Sequence, residues 1–444
     1  MNHRTRGAAA VLALATAVAL SACANNGADT DTSPSGTTQV AAVRGEGKTL
    51  TVWVMDGDYS DPTLKAINDA FTQQTGAKVD VQVQSWDGIT TKITTALATS
   101  NPPDVLDLGN TQVASFAANG GLKDLTPYAA DLAHAQTWLS GLVNPATVDG
   151  KLYAVPGFAG ARAVIYNKTM WAKAGITKAP ATIAELTDAL TKVKAANPAP
   201  DFSPLYLPGQ NWYAGMQFVW DAGGDIATAD DAGKWTAGFS TDKAQAGLAD
   251  FKAFQNQFST PASRTVDTTN PDQVQVFADG KTSAIVATSG FVGRIQKANP
   301  KLTDADLGAF PLPGKSGKSQ PVMLGGSDWG IPARSNDADL ALQWTKIAAS
   351  PEIQIKWVAG HEGFIPNSAE GIKTAKATVS ELKQGFFDAA LNSKATPAAA
   401  NWAQLEGNKD INNLFAAVAS GSKSPQEAAS AFDATANKAL NAGQ

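Results

Sequence analysis

Carboxylates, amides and large aromatic rings recur just beyond the carboxyl ends of the predicted strands in this 444-residue sequence. Open parallel sheets bind ligands beyond the carboxyl ends of their strands, so these side chains are candidates for one common site. In chain order the candidates are Met55, Asp56, Asp58, Trp86, Asp87, Asn110, Thr111, Asn211, Trp212, Phe291, Ser327 and Asp328.

A sugar is the ligand class that suits this mixture of side chains. A pyranose has apolar C–H faces, which aromatic rings bury, and a rim of hydroxyl groups, which Asp, Asn and Gln hydrogen-bond. Taken singly, each residue fits a structural role equally well, because tryptophan is usually a core residue and Asn, Asp and Gly usually form turns. Their recurrence at successive strand ends indicates a binding site.

Two other kinds of protein are compatible with the same residues. A secreted glycosidase uses two carboxylates about 5–9.5 Å apart, and Asp56, Asp87 and Asp328 supply carboxylates, although no further catalytic motif accompanies them. The third alternative is a surface lipoprotein without a small ligand. The chain has 3 histidines, too few to favour a histidine metal site or a Ser-His-Asp triad. We therefore expect a binding protein, with no enzymatic activity, metal or cofactor.

The composition is that of a globular protein with a mild negative charge. Lys and Arg number 35 and Asp and Glu number 40, which gives a formal net charge of −5. Nucleic acid is not an expected partner, because phosphate binding requires a basic surface. The length predicts two domains or more. Beyond the N-terminal region, no apolar stretch reaches the roughly 20 residues of a membrane-spanning helix.

The single cysteine, Cys23, lies in the tetrapeptide LSAC near the N-terminus. Two arginines and an apolar run from Ala8 to Leu20 precede it, which is the layout of a secretory signal. LSAC resembles the lipobox of bacterial lipoproteins. That resemblance implies a signal peptide at 1–22, an acylated Cys23 on the extracytoplasmic face of the cell membrane, and a flexible tether at 23–46. An ordinary signal peptide with an incidental cysteine is the alternative.

Strands and helices alternate from residue 49 onward. Thr49–Met55, Lys78–Gln84 and Asp104–Leu108 are predicted strands joined by helices, a spacing that indicates a parallel sheet with crossover helices. A second α/β set begins near Arg162. Its predicted strands are AVIYN, SPLYL, SAIVA, LGAF, VMLGG and WGIPA. Helical segments follow to the end of the chain.

Two capping boxes predict helix starts. Thr182 precedes Glu185 by three residues, and Ser424 precedes Glu427 by the same spacing. In a capping box each side chain hydrogen-bonds the backbone N–H of the other residue, which satisfies donors that the first helical turn leaves free. Pro425, directly after Ser424, has the fixed φ angle that suits a first helical position.

Three stretches make the chain resemble the extracellular sugar-binding proteins of bacterial ABC importers, the family that includes maltose-binding protein. They are PPDVLDLGNTQVASFAANGGLKDLTP, DGKLYAVPGFAGARAVIYNKTMWAKAGI and FPLPGKSGKSQPVMLGGSDWGIPARS. The resemblance implies an α/β, two-lobed periplasmic-binding-protein-like fold of type II, in which each lobe is a sheet flanked by helices and three hinge segments cross between the lobes. It places lobe one at 47–161 plus about 309–350 and lobe two at 162–308 plus about 351–444.

The resemblance also implies roles for individual residues. Phe291 lies where many relatives have tryptophan, which keeps a stacking ring but makes it smaller. Arg162 lies at the first crossing, either as a ligand contact or as a hinge residue. Lobe one would contribute Met55, Asp56, Asp58, Trp86, Asp87, Asn110 and Thr111; lobe two would contribute Asn211 and the aromatic platforms Trp212, Phe291 and Trp402; Ser327 and Asp328 would face the cleft.

The function implied by the resemblance is capture of a mono- or oligosaccharide between the lobes and delivery to the permease subunits of an ABC importer. A monomer is the state typical of the family. The stretches LGNTQ and YLPGQNWY are most similar to those of proteins that bind N-acetylglucosamine or its β-linked disaccharide.

Overall fold

A computed structural model describes residues 38–442 of the chain. The predicted signal peptide, Cys23 and most of the predicted tether lie outside these residues. The described strands are β1 Thr49–Met55, β2 Lys78–Gln84, β3 Val105–Gly109, β4 Thr147–Val148, β5 Lys151–Leu152, β6 Ala154–Gly160, β7 Arg162–Asn167, β8 Ala227–Ala229, β9 Trp235–Ala237, β10 Ala284–Thr288, β11 Leu307–Phe310, β12 Val322–Met323, β13 Gly325–Gly330 and β14 Ser393–Lys394.

The helices in the same residues include short and long members. They are α1 Asp61–Thr75, α2 Ile89–Leu97, α3 Val113–Ala118, α4 Ala129–Leu132, α5 Ser140–Val143, α6 Lys168–Lys173, α7 Ile183–Ala196, α8 Trp212–Asp221, α9 Asp242–Phe258, α10 Gln273–Ala278, α11 Gly290–Ala298, α12 Ala338–Ala348, α13 Ala369–Lys376, α14 Glu381–Ala390, α15 Trp402–Gly407, α16 Asp410–Ser420 and α17 Pro425–Leu440. Short 3₁₀ turns cover Asn110–Gln112, Thr126–Tyr128 and Pro261–Thr265, and Ile353–Glu362 is π-helical.

The first sheet has the strand order β2-β1-β3-β13-β6. β1 pairs in parallel with β2 and β3, as predicted from the strand–helix alternation, whereas β13 runs antiparallel to both β3 and β6. The antiparallel strand comes from a distant part of the chain and is not part of a βαβ unit. Helices α1 and α12 pack against each other beside this sheet, and the strands and helices share one hydrophobic core.

The second sheet has the order β10-β7-β11, with both pairings antiparallel. One hydrophobic cluster, which includes helices α7, α8 and α9, lies on one side of it, and a second cluster, which includes α14, lies on the other. Two sheets, each flanked by helices and with its own core, make the two-lobed α/β fold that the resemblance implied.

The chain passes three times between the two sheets within residues 38–442. It crosses from β6 to β7 through Ala161, returns between β11 and β13, and crosses again after the π-helical segment, before α13 and α14. The lobe boundaries stay a prediction. Strand pairing places β11 in the second sheet and so favours a return after Phe310.

Local sequence signals account for most element ends. Both predicted capping boxes are present, at Thr182 and Ser424. Gly76 ends α1 with φ 76°, a conformation that glycine adopts without steric cost, and its N–H donates to the carbonyl of Thr72. The segment SPLYL does not form the predicted continuous strand: it makes only single parallel bridges beside β10, because Pro204 has no N–H for a ladder.

No helix among residues 38–442 combines the length and apolar character needed to cross a bilayer. In the same residues, no group of three or more His, Cys, Asp or Glu side chains is arranged to hold a metal ion.

Candidate binding site at the crossing between the two sheets

Two paired glycines, Gly160 and Gly325, lie at the β6–β7 crossing and leave the backbone there uncovered by side chains. We call this pair the backbone floor. Gly160, the last residue of β6, pairs with Gly325 of β13. A Cβ atom built on either glycine would meet only the carbonyl oxygen of the other one, at 4.0 Å. The backbone at this crossing therefore borders open space.

Arg162 begins β7 beside this floor. Only Ala161 separates it from Gly160, so the Arg162 backbone starts close to the open space that this glycine borders. Arg162 also pairs with Thr288, at the end of β10. The residues after Thr288 lead into α11, which brings the partly buried ring of Phe291 to this region of the second lobe.

Three side chains of the second lobe form a stack. The guanidinium carbon of Arg162 lies 3.6 Å from the ring centroid of Tyr213, and the Tyr213 ring lies 4.0 Å from that of Trp212, tilted by 30°. The Tyr213 hydroxyl donates to Glu406 Oε1 at 3.1 Å. Burial lowers the pKa of Arg162, while it raises the pKa of Tyr213 to about 12 and that of Glu406 above its usual value. The stack forms a partly buried wall, which we call the second-lobe wall, with the Arg162 guanidinium at the end opposite the buried Trp212.

The first lobe contributes a second surface, which we call the first-lobe wall and which consists of Trp86, Asp56 and Asp87. Trp86 is 41% exposed, and its ring lies 3.5 Å from where a Cβ of Gly109 would stand, at the end of β3. Gly109 pairs with Ser327 of β13, two residues beyond Gly325. Asp56 and Asp87 are exposed in the adjoining loops.

The 3₁₀ turn Asn110–Gln112 joins the two walls, because it lies against α15 of the second lobe. Thr111 in this turn is partly exposed. Asn110 is buried, and its side-chain N–H groups donate to the carbonyls of Leu324 at 3.0 Å and Gly141 at 3.4 Å. Asn110 therefore holds the turn against the segment between β11 and β13, to which Leu324 belongs.

Several predicted contact residues lie inside the protein. Trp212 is 1% exposed and Trp402 is fully buried, and their rings meet edge to face at 6.0 Å in the second-lobe core. Asn211 caps α8, since its side-chain oxygen accepts from the N–H of Ala214. Met55 lies in the first-lobe core. That these residues touch a sugar stays a prediction, and the partly exposed side chains beside Trp212 are those of Tyr213 and Arg162.

A buried cluster of carboxyl groups lies behind the first-lobe wall. Ser327 Oγ donates to Asp58 Oδ2 at 2.6 Å, and the backbone N–H of Met55 donates to Asp107 Oδ2 at 3.0 Å. Burial raises the pKa of Asp58 to about 6, against the opposing effect of the Ser327 hydrogen bond. Burial also raises the pKa values of Asp107 and Asp328 well above the usual range. Burial therefore favours the protonated form of the carboxyls in this cluster.

Asp58→Asn is expected to flatten the pH dependence of stability. With a pKa raised from 3.8 to about 6, the folded state holds this proton more tightly than the unfolded chain does. The free energy of unfolding therefore falls as the pH rises from about 4 to about 6 and is constant for this group above that. Asparagine removes the cost of ionisation, so the variant should be more stable above pH 6 by on the order of 2 kcal/mol.

Urea unfolding between pH 4 and pH 8 measures this effect. Asp87→Asn is the matched control, because Asp87 is exposed and does not contribute to the shifted pKa of Asp58, and it should change the free energy of unfolding by less than about 0.5 kcal/mol. A lower free energy of unfolding for Asp58→Asn than for the unmodified protein at pH 8 would contradict the prediction that ionised Asp58 destabilises the folded state.

Two cavities lie elsewhere on the molecule. One of about 1310 Å³ is lined by residues around the β4–β5 turn, the β8–β9 hairpin and the segment 395–400. Another of about 730 Å³ lies between α1, α12 and the π-helical segment. Neither is lined by any of the predicted contact residues, so volume alone does not identify the site.

Sequence reasoning missed Tyr213, Glu406 and Gly160. Tyr213 is one residue after a tryptophan that was selected as the more typical stacking ring. Glu406 follows Trp402 by four residues, which places both on one face of α15. The sequence did contain a signal for Gly160: it lies two residues before Arg162, at the predicted first crossing, and a glycine there permits close approach of a ligand to the backbone.

The chain is similar to known binding proteins over most of its length. A family model described as bacterial extracellular solute-binding protein matches residues 66–384. The diacetylchitobiose binding protein DasA of Streptomyces coelicolor is 36% identical over 396 residues, which cover 89% of this chain and 90% of that protein.

Solved structures show the same fold. The sugar-binding protein MalE from Xanthomonas citri superposes with a TM-score of 0.77 at 22% identity, over 88% of this chain and 97% of that one. The GacH receptor of Streptomyces glaucescens, solved unliganded and with acarbose, superposes with a TM-score of 0.67 at 24% identity, over 89% of this chain and 99% of that one.

Proposed function

This chain belongs to the bacterial extracellular solute-binding proteins, and on that premise we propose that it captures a saccharide between its two lobes and delivers it to the membrane permease of an ABC importer. One observation supports the proposal: the crossing borders open space at Gly160 and Gly325, with exposed Trp86 and Asp56 on loops of the first lobe and the Arg162–Tyr213–Glu406 group at the start of the second. Aromatic and carboxylate groups together suit the faces and hydroxyls of a sugar.

The ligand we propose is a saccharide that contains N-acetylglucosamine, such as diacetylchitobiose. A relative with 36% identity over nine-tenths of its own length is named for diacetylchitobiose binding. The residues we propose as contacts are Asp56, Trp86, Asp87, Thr111, Arg162, Phe291 and Glu406, with Asp58, Ser327 and Asp328 behind the first-lobe wall and Tyr213 behind Arg162.

The proposed mechanism is a shift of population between an open and a closed arrangement of the lobes. The sugar contacts both walls at once only when they approach each other, so it stabilises the closed form by its differential affinity. The crossings at Ala161, after Phe310 and after the π-helical segment are where the backbone would bend. No bond of the sugar is broken in this mechanism.

A thermal-shift screen over a panel of mono- and disaccharides tests the proposal. A ligand present at 100 times its Kd stabilises the folded state by about 2.7 kcal/mol, so a true ligand should raise the melting temperature clearly. We expect diacetylchitobiose to do so and to be recovered intact after incubation. Released monosaccharide would favour a glycosidase, and no shift with any sugar would favour a lipoprotein without a small ligand.

We also propose that Cys23 is acylated and holds the protein on the extracytoplasmic face of the cell membrane. The supporting observation is the sequence alone: a charged and apolar leader, LSAC, and a polar segment rich in Gly, Ser and Thr. Two acyl chains anchor a protein far more firmly than one. The polar tether would let a monomeric binding protein reach a permease in the same membrane.

Cys23→Ala is expected to release the protein into the medium, because the substitution removes the thiol to which lipid would attach. Immunoblots of membrane and medium fractions measure the distribution, and Ser33→Ala, in the tether, is the control that should stay on the membrane. Retention of the Cys23→Ala variant on the membrane would contradict acylation as the anchor.

A further inference from the structure

The guanidinium of Arg162 has unused hydrogen-bond donors. One of its faces covers the Tyr213 ring, with 3.6 Å between the guanidinium carbon and the ring centroid. Among residues 38–442, no group accepts a hydrogen bond from this side chain or forms an ion pair with it. Arg162 is partly exposed, so the five N–H donors of its planar fork are open to a ligand that supplies acceptors.

Glu406 partly offsets the charge of Arg162, although the two side chains form no ion pair. Glu406 lies near enough to oppose the lowered pKa of Arg162, and its carboxylate is held by the Tyr213 hydroxyl at 3.1 Å. A cation and an anion side by side favour a neutral ligand over an anionic one, since an added carboxylate would face Glu406. The ligand group should therefore be uncharged and carry a strong acceptor.

The wall also offers an acceptor beside its donors. The Arg162 edge provides N–H groups, and the Glu406 carboxyl has a second oxygen besides Oε1, which accepts from Tyr213. An acetamido group matches this pair, because its planar amide carries one carbonyl acceptor and one N–H donor. The backbone floor at Gly160 and Gly325 leaves room for such a flat group close to the main chain.

We propose that Arg162 and Glu406, set by Tyr213, recognise the acetamido group of an N-acetylated sugar, and that Arg162 determines the preference for N-acetylated over plain saccharides. This inference rests on the proposed function, because it takes the crossing to be the sugar site. Arg162 donates to the carbonyl oxygen of the acetamido group, and Glu406 accepts from its N–H. Tyr213 is a positioning residue, because its ring stacks on Arg162 and its hydroxyl donates to Glu406.

Calorimetry with two disaccharides of the same linkage tests the proposal. N,N′-diacetylchitobiose carries acetamido groups where cellobiose carries hydroxyls. The unmodified protein should bind diacetylchitobiose at least about 10-fold more tightly than cellobiose. Arg162→Met keeps an apolar stem on the Tyr213 ring but removes the donors, so it should weaken diacetylchitobiose binding about 10-fold or more and change cellobiose binding by less than about 3-fold.

Two controls accompany the measurement. Arg334→Met alters an arginine of the first lobe that donates to the carbonyl of Ala98, and it should leave both affinities unchanged. Ligand-free melting of Arg162→Met establishes that the variant is folded. Arg162→Lys keeps the charge without the planar fork and should recover only part of the preference.

The outcomes separate the two levels of the proposal. Three results would overturn the acetamido assignment without affecting the proposal that the protein binds sugars. They are an equal loss of affinity for both disaccharides in Arg162→Met, equal affinities of the unmodified protein for both, and tighter binding of cellobiouronic acid than of diacetylchitobiose. Failure of the unmodified protein to bind any saccharide would overturn the proposed function itself.

Discussion

Trp212→Ala is expected to lower the free energy of unfolding by about 3–5 kcal/mol. The ring is 1% exposed and packs between Tyr213 and Trp402 in the second-lobe core. Alanine removes both ring contacts and leaves a cavity in the second-lobe core. Denaturant unfolding followed by circular dichroism measures the loss, with the free energies compared at one temperature.

Trp86→Ala is the matched comparison, since it makes the same chemical change at a ring that is 41% exposed on the first-lobe wall. It should lower stability by less than about 1 kcal/mol, yet weaken sugar binding about 10-fold through loss of a stacking surface. The opposite result, unchanged stability but lost affinity in Trp212→Ala, would show that Trp212 reaches the ligand and that the wall rearranges on binding.

The order of strands and helices is encoded locally and was predictable from the sequence. The capping boxes at Thr182 and Ser424 each fix a helix start through contacts within four residues. The alternation around β1, α1 and β2 specifies a parallel sheet because a crossover helix returns the chain to the same edge. Such signals need no knowledge of distant residues.

The antiparallel strands depended on distant parts of the chain. β13 joins the first sheet more than 200 residues after β3, as its register with Leu108 and Gly109 shows. No local pattern states which sheet such a strand joins, and the resemblance to a known family supplied that information. The segment SPLYL shows the converse: its composition favours a strand, but Pro204 and its neighbours allow only single bridges.

Exposure of individual side chains was the least predictable property of the site. On α8, Trp212 and Tyr213 are consecutive and about 100° apart around the axis, and Trp212 is fully buried whereas Tyr213 is partly buried. Only the position of α15, which brings Trp402 and Glu406 against them, decides which residue is buried. Asn110 similarly looks like a ligand residue by type, but its amide is used by two backbone carbonyls.

Gly160→Leu is expected to weaken saccharide binding about 100-fold while leaving the fold intact. A Cβ at this position meets only the Gly325 carbonyl oxygen, at 4.0 Å, so the side chain has room in the ligand-free protein. It would occupy the open space between Arg162 and the first-lobe wall, where a sugar is proposed to lie. Forcing extra carbon atoms into an occupied space costs about 1–3 kcal/mol, which corresponds to roughly 5- to 150-fold in affinity.

A size series at this one position distinguishes a filled site from a stiffened hinge. If Gly160 forms the floor of the site, Ala, Val and Leu should weaken binding progressively with volume, and Gly325→Leu, on the paired strand, should act like Gly160→Leu. If Gly160 serves as a hinge, alanine alone should already cause most of the loss, because any Cβ restricts the backbone equally. Calorimetry gives the affinities and ligand-free melting checks the fold. Unchanged affinity in Gly160→Leu would place the sugar away from this crossing.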